Sequence, residues 1–278
     1  MHPLDASLEL RPGTIGPAGT SAVFICKPGD RYRNAIGPFG GWIAALLLKA
    51  VLCLPQARGA PLALDALFMG SIDDGDLEVR VFALRQNRSV GFWRSEAWQA
   101  GCLCASAQVT MSIARESVVL QDARFPDVAG PDLVPVYVNP RTPVPWLDQY
   151  VFKPVSGLLF SRAETMDSRL WIRDAEPRPL DAISLTALCD TPFPPTWIPL
   201  PAQSPVSTVS FSVYYRANDA DFSAAGTGFC LMDSRASLAR GGYVDQFTSV
   251  WSASGSLLAQ TQQMLWFADA PAGGGQGG

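Results

Sequence analysis

The sequence predicts an α+β protein made of two copies of one unit, each a curved antiparallel sheet wrapped around one buried helix. Three observations carry this. A segment recurs: Gly101-Cys-Leu-Cys-Ala-Ser-Ala-Gln108 and Gly255-Ser-Leu-Leu-Ala-Gln-Thr-Gln262 share Gly, Leu, Ala and Gln in register, and such self-similarity marks repeated architecture. Each copy closes a run of strand-like sequence that follows one helix-like segment. Between the halves, Pro126, Pro131, Pro135, Pro140, Pro143 and Pro145 form a stretch that neither a helix nor a central strand tolerates, so it reads as a connector crossing a surface.

The first helix is read from Trp42 to Leu54, with Gly40-Gly41 preceding it and Pro55 stopping it. Apolar residues occupy nearly every position around its turns, so it is buried on most sides. The second runs from Pro179 to Asp190, proline being tolerated in a first helical turn, and ends before Pro192, Pro194 and Pro195. Strands follow each helix: Leu77–Leu84, Ser89–Trp98 and Cys102–Ile113 in the first half; Thr208–Tyr215, Gly228–Met232, Tyr243–Trp251 and Leu257–Trp266 in the second. Strict alternation places Thr208, Ser210, Ser212 and Tyr214 on one face and Val209, Phe211, Val213 and Tyr215 on the other. A helix apolar all round needs a sheet curved around it. That is the hotdog arrangement, here duplicated, and adjoining halves would protect each other's sheet edges. The expected organisation is a first hotdog over 1–120, a proline-rich linker over 121–147, a second hotdog over 148–270 and a flexible Gly-rich tail over 271–278.

Composition narrows the function. Of 278 residues, 48% are hydrophobic and 17% charged, which excludes a disordered chain or coiled coil. The most apolar stretch, Trp42–Leu48, falls far short of the ~20 residues of a membrane span. The N-terminus shows no basic region followed by an apolar one, so a cytoplasmic, soluble protein is expected. A net charge of −4 argues against nucleic acid as a partner. The one histidine, His2, sits at the terminus. This removes Ser-His-Asp and Cys-His hydrolases, His-ligated metal sites and histidine-dependent hydratases. Cysteines lack zinc or disulfide spacing, so reduced and mostly buried thiols are expected, with Cys102 and Cys104 on one strand face. No metal or organic cofactor is expected.

Several segments resemble the acyl-CoA thioesterase II-like, double-hotdog family. These are Gly37-Pro-Phe-Gly-Gly-Trp-Ile-Ala-Ala-Leu-Leu at 37–47, Leu188-Cys-Asp190 before a Pro-rich exit, the strand Ser207-Thr208-Val209, Ser237-Leu-Ala-Arg-Gly241 before Trp251, and Gly255 through Gln263. The resemblance implies a water-holding Asp, Thr and Gln from the second hotdog, which carry over to Asp190, Thr208 and Gln263. It implies hydrolysis of an acyl-CoA to free acid and CoA. A thioester carbonyl is electrophilic enough for direct attack by water that a carboxylate partly deprotonates. Thr208 and Gln263 can each donate and accept, and would orient that water. Backbone N–H groups at the glycine-led helix start, Gly40 and Gly41, are the expected oxyanion donors. A homodimer or higher homo-oligomer is expected. The rival reading is an acyl-binding or scaffold protein that keeps the fold without the reaction.

Overall fold

The computed structural model describes residues 1–16, 19–138 and 144–268. The expected Gly-rich tail over 271–278 lies outside them.

After a short helix α1 (Pro3–Ser7), the first half contains β1 (Arg11–Ile15), β2 (Ser21–Cys26), α2 (Gly40–Leu52), β3 (Ala60–Phe68), β4 (Leu77–Gln86), β5 (Val90–Gln99) and β6 (Cys102–Ser112). The second contains β7 (Tyr150–Ser156), β8 (Ser168–Asp174), α3 (Ala182–Leu188), β9 (Val206–Tyr215), α4 (Asp219–Ala225), β10 (Cys230–Arg235), β11 (Ala239–Arg240), β12 (Tyr243–Ser252) and β13 (Leu257–Phe267). The described residues form one antiparallel sheet in the order β1-β2-β4-β5-β6-β3-β9-β13-β12-β10-β8-β7, with β11 paired to β12. Read outward from its centre, the two arms match strand for strand: β3 with β9, β6 with β13, β5 with β12, β4 with β10, β2 with β8 and β1 with β7. This is a double hotdog.

The halves join where β3 pairs with β9, from Ala63 opposite Tyr214 to Leu67 opposite Ser210. Each edge thereby satisfies the other's backbone donors and acceptors. Ser212 Oγ donates to Asp65 Oδ1 at 2.6 Å across the seam. Strand β3 had no counterpart in the sequence reading, because Pro61 near its start and the nearby Pro55 resemble loop punctuation.

The sheet encloses α2 and α3 in one shared core. Ala44 through Leu48 of α2 are fully buried, as the all-round apolar pattern requires. Two helix details differ from the sequence reading. Gly40 and Gly41 lie inside the first turn of α2, not before it. Helix α3 starts at Ala182, not Pro179: Asp181 caps it, accepting from the Ser184 N–H in a reciprocal capping box. Cys104 is buried and Cys102, at the start of β6, is exposed, with the β5–β6 register slipping between them.

Residues 139–143 of the expected linker, Pro140 and Pro143 among them, lie outside the described residues; residues 123–134 strap the outer face of the second half's sheet. Val134 packs with Trp171, Leu231 and Trp251 in a cluster separate from the main core. Trp171 Nε1 donates to the Ala129 carbonyl at 2.9 Å, and Lys153 Nζ to that of Pro131 at 2.7 Å. The strap thus shields tryptophans that the sheet would otherwise expose.

Candidate active site

Asp190 lies just past the C-terminus of α3, where a negative charge opposes that helix's dipole. The tertiary structure supplies the reason. The carboxylate points instead at the N-terminus of α2 and accepts the backbone N–H of Gly41. First-turn amides have no intrahelical acceptor, and the positive end of the dipole favours an anion there. Burial pushes the Asp190 carboxyl up to about 7, and the Gly41 hydrogen bond pulls in the opposite direction.

The two glycines allow this approach. A Cβ on Gly40 would stand 2.7 Å from Asp190 Oδ2, and one on Gly41 would overlap the Ala187 carbonyl oxygen of α3. The start of α2 therefore meets the backbone of α3 and the Asp190 side chain beyond it, with no room for a methyl group at either glycine.

Thr208 reaches the site through a β-bulge. Leu265 pairs with Thr208 and Met264 with Ser210, which leaves Val209 unpaired. The extra residue reverses the alternation. Thr208 therefore joins Phe211, Val213 and Tyr215 on the inner face, and Val209 turns out to 38% exposure. This corrects the strict alternation, which put Thr208 on the face opposite Phe211. Gln263 is buried on the inner face of β13, whereas Gln262 is exposed, so the two adjacent glutamines point oppositely.

Thr208 and Gln263 are in direct contact: Thr208 Oγ1 donates to Gln263 Oε1 at 3.3 Å. Among the described residues no hydrogen bond joins Asp190 to either. Two connections tie the pairs together. Phe68, one residue past the last β3–β9 pair, would come 3.6 Å from a Cβ on Gly40. The exit segment after Asp190 carries Phe193, whose carbonyl accepts Gln246 Nε2 at 2.9 Å, and Gln246 Oε1 in turn accepts Gln263 Nε2 at 2.6 Å. The sequence reading missed Gln246. Its one signal was a glutamine in phase with Val244, Thr248 and Val250, the buried side of β12.

Gly41, an expected oxyanion donor, gives its backbone N–H to Asp190. Nearby, a second buried carboxyl, Asp174, faces Tyr150 across the β7–β8 pair. Burial pushes it to about 7, with Arg178 pulling it down and Asp181 and Asp5 pushing it up. Among the described residues no group of His, Cys, Asp and Glu is arranged to hold a metal ion. None of the helices among the described residues is long and apolar enough to cross a membrane.

A two-armed sheet around two helices, with a carboxylate of one arm seated on the helix start of the other, defines a double-hotdog protein. Residues 29–112 match the acyl-CoA thioesterase N-terminal domain and residues 107–267 the acyl-CoA thioesterase C-terminal domain. The chain belongs to this acyl-CoA thioesterase family. Among solved structures it resembles a conserved protein of unknown function with a hot dog fold from Alicyclobacillus acidocaldarius, at 34% identity and TM-score 0.90, covering 97% of this chain and 99% of that one. A putative thioesterase II from Thermobifida fusca shares the fold at 16% identity and TM-score 0.80, covering 96% and 98%. So does an acyl-CoA thioesterase II, TesB2, from Mycobacterium marinum, at 17% identity and TM-score 0.71, covering 97% and 98%. No curated protein matches the chain in sequence.

Proposed function

We propose that this protein hydrolyses an acyl-CoA thioester to the free acid and CoA by direct attack of water, with Asp190 as general base. The observation that carries the proposal is the enclosed Asp190 carboxylate, held by the Gly41 N–H, with its proton affinity raised to about 7. A base near the working pH combines a useful ionised fraction with real driving force for proton abstraction. Asp190 takes a proton as the water oxygen bonds to the thioester carbon. The tetrahedral intermediate then expels the thiolate, which recovers that proton. Thr208 and Gln263 orient the water. The oxyanion draws on the first-turn amides of α2 that remain beside Gly41, Gly40's among them. No covalent acyl-enzyme and no cofactor enters this scheme.

The experiment is loss of thioester absorbance across a panel of acyl-CoAs, wild type against Asp190→Asn. Hydrolysis by the wild type and not by the variant supports both the activity and the base. Equal hydrolysis removes Asp190 from the mechanism. Binding without hydrolysis by either protein gives the acyl-binding reading instead.

A further inference from the structure

We propose that Gln246 is a positioning residue that fixes the direction of the hydrogen-bond chain ending at Thr208, so that Thr208 meets the attacking water only as an acceptor. The inference rests on the thioesterase reading above. It starts from the one group in the chain whose polarity cannot change, the Phe193 backbone carbonyl. A carbonyl only accepts, so the Gln246 atom 2.9 Å from it is the amide nitrogen. Gln246 Oε1 must then face Gln263 and accept its Nε2 at 2.6 Å. That turns Gln263 Oε1 toward Thr208, whose hydroxyl spends its single proton on it at 3.3 Å. Three hydrogen bonds in series therefore inherit one direction, and neither amide can flip without setting two like atoms against each other.

The anchor is well held. Phe193 lies between Pro192 and Pro194, which restrict its backbone, and its ring stacks on Phe152 at 6.0 Å. Gln246 and Gln263 are 1% and 3% exposed, so water does not compete for their amides. Phe193 also follows Asp190 by three residues, so the segment that carries the base carries the anchor.

The chemical consequence is specific. With its proton spent, Thr208 Oγ1 offers only lone pairs to the site. A water given one acceptor by Asp190 and another by Thr208 directs both of its O–H bonds at the protein. Both of its lone pairs are then free of protein donors, and one of them faces the thioester carbon. A threonine free to donate would instead engage a lone pair and lower the nucleophilicity of the oxygen.

The test uses the full-length chain with Gln246→Met, Gln246→Glu and Thr208→Val, and the double variant Gln246→Met/Thr208→Val, assayed by thioester absorbance with the best acyl-CoA of the panel. Gln246→Met should lower kcat by ~10–10²-fold with KM within about twofold, the scale expected of a misplaced reactant. It should add little in the Thr208→Val background, because both act through one chain. Gln246→Glu can donate to Phe193 only when protonated, so the ratio of its kcat to wild type should rise as pH falls. A merely structural role gives a pH-independent ratio. Unchanged kcat in Gln246→Met, or full additivity with Thr208→Val, overturns the proposal. A wild type that hydrolyses no acyl-CoA overturns the thioesterase reading, and amide exchange then judges the chain separately. Slowly exchanging Gln263 side-chain protons that become fast in Gln246→Met support it, and fast exchange in the wild type refutes it.

Discussion

The two hotdogs share a backbone and differ in what it carries. Both inner strands at the seam are bulged at the same place: Leu62 in β3 and Val209 in β9 are each left unpaired, beside Pro61 and Thr208 respectively. The repeat offset that aligns Gln108 with Gln262 aligns Val109 with Gln263, and both of the latter are buried. Two residues past the last turn of each helix, Leu54 in the first half corresponds to Asp190 in the second. The first half thus holds Leu54, Pro61 and Val109 where the second holds Asp190, Thr208 and Gln263. The helix starts are unequal in the opposite sense. The α2 start opens on two glycines and receives a carboxylate from outside, whereas α3 is closed by its own Asp181. Arg178 then binds Asp181 at 2.7 Å and Asp5 at 2.9 Å, sealing that end. One half supplies the helix dipole and the other supplies the side chains, so the pseudo-symmetric scaffold holds one candidate site.

Substitutions at matched positions of the two halves should have opposite effects. Asp190→Asn should lower kcat by ~10²–10⁴, the range for a lost general base. Its counterpart Leu54→Ala should leave kcat of the folded protein unchanged while costing about 2–5 kcal/mol of stability, as buried leucine truncations do. Thioester absorbance and chemical denaturation measure the two effects, and a Leu54→Ala defect in kcat at full folding would put chemistry in the wrong half. Gln263→Ala should cost ~10–10² in kcat, the order of a lost orienting contact, measured in the same assay.

The helix junction comes next. Gly41→Ala would drive a methyl group into the Ala187 carbonyl, forcing α2 and α3 apart. A loss of ~1–3 kcal/mol is expected from such overpacking, with a fall in kcat as the Asp190 hydrogen bond lengthens. Denaturation and turnover with no change would remove the close approach from the argument.

The smallest effects concern pH. Asp190 must be ionised to act as base, so kcat/KM should rise as pH passes through about 7 and level off above it. Asp190 and Asp174 both have folded values raised to about 7 from the usual carboxylate range. A raised carboxyl means that the folded state holds its proton longer than the unfolded chain does. Their contribution to stability is then greatest at low pH, falls between about 4 and 7, and is flat above. Asp174→Asn removes one such group, so the gap in Tm between variant and wild type should shift in the variant's favour from pH 5 to pH 8. A pH-independent gap would show that Asp174 is not a buried acid.

Much of this architecture was legible in the sequence, because repeats, apolar periodicity and proline punctuation act locally. The 154-residue offset between Gly101 and Gly255 and the apolar run from Trp42 defined two sheet-and-helix units, and β9, β12 and β13 lie within a residue or two of the strands read from the sequence, whereas β7, β8 and β11 had no such range. The residue types of the site could be found by resemblance. Tertiary structure decided what those residues face. Alternation alone puts Thr208 on the wrong side, since a bulge at Val209 is a property of the β9–β13 register rather than of either strand. A negative charge after α3 is unfavourable locally, and what offsets part of that cost is the start of α2, some 150 residues earlier in the chain, packed against it. The direction of the Thr208–Gln263–Gln246 chain is set by a backbone carbonyl on a separate segment, and a carbonyl carries no signature in sequence. Secondary structure follows from interactions within a few residues. A site follows from which distant segments the core brings together, and here that joining of two unequal halves fixed the environment of the candidate base.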